Sequence, residues 1–141
     1  MTSGRKASGE EFDFDTYASR TRIYIDGKLA LYDNCNIDPN RDALMDTGLL
    51  DGHQINGSFY VYADGMDREL KREINELDIG VRLAAGNIRQ DLLVVRFLGD
   101  SIMDMTRAMH LIWDVCRRSI LDKPALRLRK EFSGCSVDSE E

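Results

Sequence analysis

Apolar and polar positions alternate with period two through the early part of this chain and with a helical period near its end. Phe12 and Phe14 alternate with acidic residues. Arg20, Arg22 and Tyr24 then alternate with Thr21, Ile23 and Ile25. Successive strand side chains point to opposite faces, so the spacing predicts strand from Phe12 onward with one wet face. Asp26-Gly27 predicts a hairpin turn, because both residues tolerate positive φ. Leu29, Leu31 and Cys35 continue a return strand, which ends at Asp38-Pro39-Asn40 because proline cannot donate to a sheet ladder. Residues 41–57, with Asp42, Asp46, Asp51, Gly48 and Gly52, predict an irregular connection holding one helical turn at 43–46.

Residues 58–63, SFYVYA, are aromatic and β-branched and predict a strand punctuated by Asp64-Gly65. Met66, Leu70, Ile74 and Leu77 then fall on one helical face, which predicts a helix over 66–77 stopped by Gly80. A short strand over 81–85, a turn at Ala85-Gly86-Asn87 and a central strand over 91–98 follow. Asp100 or Ser101 caps the last helix, with Asp104 three residues beyond Ser101 in a near capping box. Ile102, Met105, Met109, Ile112, Trp113, Cys116 and Ile120 form its apolar stripe, and Pro124 ends it. The predicted order is ββ followed by β-α-β-β-α, an α+β chain that is mostly β, closing on a long C-terminal helix. Residues 1–11 read as a polar N-terminal loop, 12–125 as one domain, and 126–141 as a basic, then acidic, flexible tail.

Bulk properties narrow the function. The chain has 141 residues, enough for one core, and a net charge of −6. That charge disfavours nucleic acid and anionic membrane surfaces as partners, since both recruit clustered Lys and Arg. Local basic pairs do occur at Arg117-Arg118 and over 127–130, where they read as solvated charge or as a docking patch. Cys35, Cys116 and Cys135 are odd in number and widely spaced, so they are not a disulfide framework. The N-terminal residues lack a signal peptide's apolar core, and no run of about 18 apolar residues would span a bilayer. A reducing, cytoplasmic setting is the simplest expectation.

Candidate chemistry is sparse. His53 lies among Asp46 and Asp51, a mixture that can hold divalent nickel or zinc transiently, although a solvated loop is the simpler reading. His110 has Asp114 one turn on, at helical metal-pair spacing, yet a lone helical histidine is usually a packed residue. Glu10-Glu11 and Asp13/Asp15 are paired carboxylates, which need a pocket that shifts their pKa values before they act as acid and base. Met103, Met105 and Met109 read as core rather than a copper site, and the cysteines lack zinc spacing. No phosphate loop is present, and Ser8 sits in no nucleophile elbow. An enzyme reading therefore has no residues to carry it.

Three segments, in order, carry a resemblance to a known family. The first is Gly4-Arg5-x-Ala7-x-Gly9-Glu10-x-Phe12, followed by the strand Ser19-Arg20-Thr21-Arg22-Ile23 and the Asp26-Gly27 hairpin. The second is Gly57-Ser58-Phe59-Tyr60-Val61. The third is Leu93-Val94-Val95-Arg96-Phe97-Leu98-Gly99-Asp100-Ser101, similar to a V-R-x-L-G-D motif. It leads to a helix carrying Trp113 and the run Arg117-x-x-Ile120-Leu121-x-Lys123-Pro124-Ala125. In this order the segments resemble the urease accessory protein D family (UreD, also called UreH), whose members extend well upstream of the first segment, so the chain resembles only the family's C-terminal half. The usual family ending after Pro-Ala is replaced by Leu126-Arg127-Leu128-Arg129-Lys130.

The resemblance implies the C-terminal part of a β-helical stack and a non-catalytic scaffold. It also implies that this scaffold docks on the urease apoprotein and, with accessory proteins F and G, helps insert nickel. No cofactor would be tightly bound, and nickel would pass transiently. Glu10 and Arg5 match charged family positions and are candidate partner-binding residues, with Arg117 and Arg118. Glu10, His53 and His110 are the candidate metal contacts. Strand edges left open by the absent half predict a homodimer. The alternatives are a degenerate relative acting only as an interaction module, or a small enzyme with a polar pocket around His53 or His110.

Overall fold

The computed structural model describes residues 8–42, 44–46 and 48–126. The seven elements are β1 (Tyr17–Ile25), β2 (Lys28–Ile37), β3 (Ile55–Tyr62), α1 (Leu70–Asn75), β4 (Arg82–Arg89), β5 (Leu92–Gly99) and α2 (Ile102–Leu121). They follow the predicted ββ then β-α-β-β-α order. β1 and β2 form an antiparallel hairpin, and β3, β5 and β4 form a separate antiparallel sheet with β5 at its centre.

The hairpin turns where expected. Asp26 and Gly27 have φ of 50° and 73°, the pair of positive values that matches the right-handed twist of the flanking strands. The register shifts between Ile23 and Tyr24, where Ala30 of β2 is the extra residue of a bulge.

β5 organises the layers. Leu92, Leu93, Val94 and Val95 are all buried, which a strand achieves only when both faces are covered. Leu93, Val95 and Phe97 face a core shared with Leu70 and Ile74 of α1 and with Met105, Ile112 and Cys116 of α2. Leu92 and Val94 face Leu31, Ile23 and Ala30 of the hairpin. The molecule is thus hairpin, sheet and helices in three layers. Gly57 permits one close approach: it lies opposite Phe97, and a Cβ there would meet the Phe97 ring at 2.5–2.9 Å.

Several expectations need correction. Phe12 and Phe14 do not belong to a strand, and Phe12 has φ 53°. Their rings instead join Tyr17, Leu44, Leu50, Ile37 and Leu98 in a third apolar cluster. The irregular connection over 41–54 therefore has its own buried side chains, Leu44 and Leu50. Of the helical turn expected at 43–46, Ala43 lies outside the described residues, and 44–46 form a turn rather than a helix.

α1 is shorter than its apolar spacing suggested. Met66 and Leu77 pack on the core from outside the helix, and the C-cap is Glu76, before Gly80 is reached. The turn expected at 85–87 is strand, because β4 continues to Arg89 and the reversal falls at Gln90. Of the two capping candidates for α2, Ser101 is the cap: its Oγ accepts from the Asp104 N–H at 3.3 Å. The buried stripe of α2 is Met105, Ala108, Ile112 and Cys116, while Ile102 is 60% exposed and Met109 37%. Asp122 closes the helix in the left-handed conformation, two residues before Pro124. The flexible tail expected over 126–141 lies, beyond Leu126, outside the described residues, as do Arg5, the basic run 127–130 and Cys135.

Candidate functional site

Two polar clusters join the layers. The first lies between hairpin and sheet. Arg96 interrupts the apolar series that β5 turns toward the hairpin, and its register partner on β3 is Ser58. Asp33 comes from β2, at the same inward parity as Leu31 and Cys35. The Tyr60 hydroxyl donates to Asp33 Oδ2 at 2.5 Å, and Arg96 Nη2 lies 2.9 Å from the same oxygen. Arg96 Nη1 also donates to Ser58 Oγ at 3.3 Å. One carboxylate thus ties β2 to both β3 and β5.

The electrostatics follow from that geometry. The Tyr60 hydrogen bond, with Arg96 beside it, holds Asp33 below the usual carboxylate range, although burial pulls the other way. Tyr60 is pushed up by burial and by donating to an anion. A groove of about 390 Å³ opens on this cluster, with Ser19, Thr21, Cys35 and Asn56 also on its walls.

The second cluster lies where β5 gives way to α2. Asp100 Oδ2 is 2.9 Å from His53 Nδ1, and Asp100 Oδ1 accepts from the Gln54 backbone N–H at 3.1 Å. The Gln54 side chain in turn donates to Glu11. Two of the segments singled out in sequence, the one that holds Glu11 and the one that holds Asp100, are thereby joined through residues 53–54. An ion pair between Asp51 and Arg82 fastens the same loop to β4.

The candidate residues divide. His53 is in the second cluster, engaged with Asp100 rather than gathered with Asp46 and Asp51. Glu10 is half-buried beside Glu11. His110 packs edge-on against Trp113, with ring centroids 6.0 Å apart, and contributes to the electrostatic field at Asp114. Arg117 stacks on Trp113 at 5.6 Å and donates to the Pro124 carbonyl at 2.9 Å. Arg118 pairs with Asp114 at 2.7 Å. Burial opposes ionisation of Asp114, but the Ala125 N–H and Arg118 outweigh it and hold its pKa low. These helical charges fold the chain after α2 back along the helix.

Among the described residues no group of three or more His, Cys, Asp or Glu side chains is placed to hold a metal ion. Asp13 and Asp15 are exposed. Cys35 and Cys116 are free thiols, and burial pushes Cys116 up to about 11. No described helix is long and apolar enough to cross a membrane. Sequence reasoning missed Asp33, Tyr60 and Arg96 as a unit. Its available signal was a charged residue at the buried parity of each of two strands.

Comparison with known proteins covers most of the chain. A family model described as UreD urease accessory protein matches residues 1–131. A urease accessory protein UreD of Actinomyces naeslundii is 33% identical over 132 residues, covering 92% of this chain and 49% of that protein. The UreD of Haloquadratum walsbyi is 31% identical over 79% of this chain and 38% of its own length. A UreH of Helicobacter hepaticus is 30% identical over 62% of this chain and 35% of its own. The chain spans about half the length, or less, of these curated relatives.

Proposed function

Because this chain belongs to the urease accessory protein D family, whose members are non-catalytic maturation factors, we propose that it assists nickel insertion into the urease apoprotein. The observation that carries this reading is the family match across residues 1–131. In this reading the protein is a cytoplasmic scaffold acting with accessory proteins F and G. Its two sheets are the terminal part of a β-helical stack, and Arg5, Glu10, Arg117 and Arg118 contribute to partner contacts. Nickel passes as cargo, meeting scattered carboxylates such as Glu10. Scattered oxygen donors release a borderline cation readily, whereas a closed Cys/His set retains it. The enzyme alternative has no support in a family of accessory proteins, and neither histidine lines the groove on the Asp33 cluster.

The test is co-expression of the chain with the urease apoprotein and accessory proteins F and G. Size exclusion and nickel analysis of the recovered urease are the readouts. The expected result is a co-eluting complex and nickel-loaded urease, with Glu10→Ala lowering activation but not thermal stability. A folded chain that forms no complex would overturn the maturation role. Unchanged activation in Glu10→Ala would remove Glu10 from the mechanism.

A further inference from the structure

The outward face of the β1–β2 hairpin has a composition unlike the rest of the molecule. Its inner face packs on β5 through Leu31 and Ile23. The outward positions are Ala18, Arg20, Arg22 and Tyr24 on β1, with Leu29, Tyr32, Asn34 and Asn36 on β2. Tyr24, Leu29 and Tyr32 are 58%, 53% and 52% exposed. Lys28 adds a third cation at the turn. The hairpin's own carboxylates are Asp26, in the turn itself, and Asp33, which points inward to Tyr60 and Arg96. On a chain of net charge −6, this face is locally basic.

The two arginines are also held ready. Arg22 lies over the Tyr32 ring, 5.2 Å from its centroid, and Arg20 Nε donates to Asn34 Oδ1 at 3.3 Å. Both contacts run across the strand pair, Arg22 opposite Tyr32 and Arg20 opposite Asn34. Among the described residues neither guanidinium pairs with a carboxylate, so each keeps free donors. Stacked and braced side chains lose little rotamer freedom on binding, and exposed Tyr and Arg together are the residue types that dominate protein interfaces.

We infer that the outward hairpin face, centred on Arg20, Arg22 and Tyr32, docks an acidic surface of a protein partner. Charge complementarity selects that occupant: on a chain of net charge −6, this face offers forked donors and flat aromatic surface for carboxylates.

The test uses the full chain and a fluorescein-labelled poly-glutamate peptide, read by anisotropy at low and moderate salt. An RNA-free DNA duplex and phosphatidylserine vesicles serve as competing anions. R20E/R22E is compared with R68E/K71E, which makes the same charge change on the exposed surface around α1. Circular dichroism confirms that both variants fold. The expected result is peptide binding weakened at least tenfold by R20E/R22E, by less than twofold by R68E/K71E, and reduced by salt. Equal loss in both variants, or none in R20E/R22E, would overturn the assignment. Tighter binding to DNA or vesicles than to the peptide would overturn the choice of partner.

Discussion

Asp33 shows how one side chain couples layers. Its folded pKa lies below its ordinary value of 3.8. The stabilisation from this shift is therefore fully present above about pH 4 and is lost as pH falls through the lower folded value. Asp33→Asn removes that dependence. Expected outcomes are a lower melting temperature than wild type at pH 7 and a smaller gap between the two at pH 3, measured by thermal denaturation across pH. An equal gap at both pH values would mean that Asp33 contributes nothing through its charge. Gly57 is a different kind of constraint, steric rather than electrostatic. Gly57→Ala would place a Cβ inside the Phe97 ring's contact distance. Overpacking of this sort costs about 1–3 kcal/mol, because β3 or the ring must shift. Chemical denaturation measures it, and a neutral result would show that Phe97 has another rotamer open to it.

At the level of elements, local chemistry was legible wherever one residue type dictates the backbone. Asp26-Gly27 specified its turn, and Ser101 its cap. Ser101→Ala should cost about 1 kcal/mol in denaturant unfolding, the usual worth of an N-cap hydroxyl. The order of elements was legible too, because each apolar period ran long enough to be distinct. The misread stretches share a physical cause, namely side chains that pack without belonging to the element their spacing suggests. Phe12 and Phe14 alternate like strand residues, yet their rings serve a cluster under an irregular loop. Met66 and Leu77 keep helical spacing, yet contact the core from flanking turns. Asn75 explains why α1 docks where it does. Its side-chain amide donates to the Ala85 carbonyl and accepts from the Ala85 N–H, at 3.1 and 2.8 Å. It thereby supplies to β4, a sheet edge, the two bonds a neighbouring strand would have made. No local pattern announces such a long-range pairing. Asn75→Ala should cost about 1–2 kcal/mol, the net worth of those bonds, and increase the exchange rate of the Ala85 amide.

Across the whole molecule the two β layers are unequally secured. The helices and the three-stranded sheet share one large cluster built from β3, β5, α1 and α2. The hairpin rests on the other sheet face through Leu31, Leu92 and Val94, supplemented by Asp33 with Tyr60 and Arg96. A two-stranded ribbon is marginal by itself, so its order depends on that contact. Leu31→Ala removes the buried hairpin side chain at the centre of the seam. A large-to-small change at such a site costs about 2–5 kcal/mol when the structure unfolds as one unit. The layering predicts something more specific: the hairpin should open below the global transition, as a separate cooperative unit. In hydrogen exchange, amides of β1 and β2 in Leu31→Ala should lose protection at least tenfold more than those of β5. Equal loss across β2 and β5 would show that the three layers unfold together. Docking of an acidic partner on the outward hairpin face would slow that same opening, because a ligand that binds only the closed ribbon stabilises it by mass action. The hairpin would then be both the most easily released layer and the one whose order a partner controls.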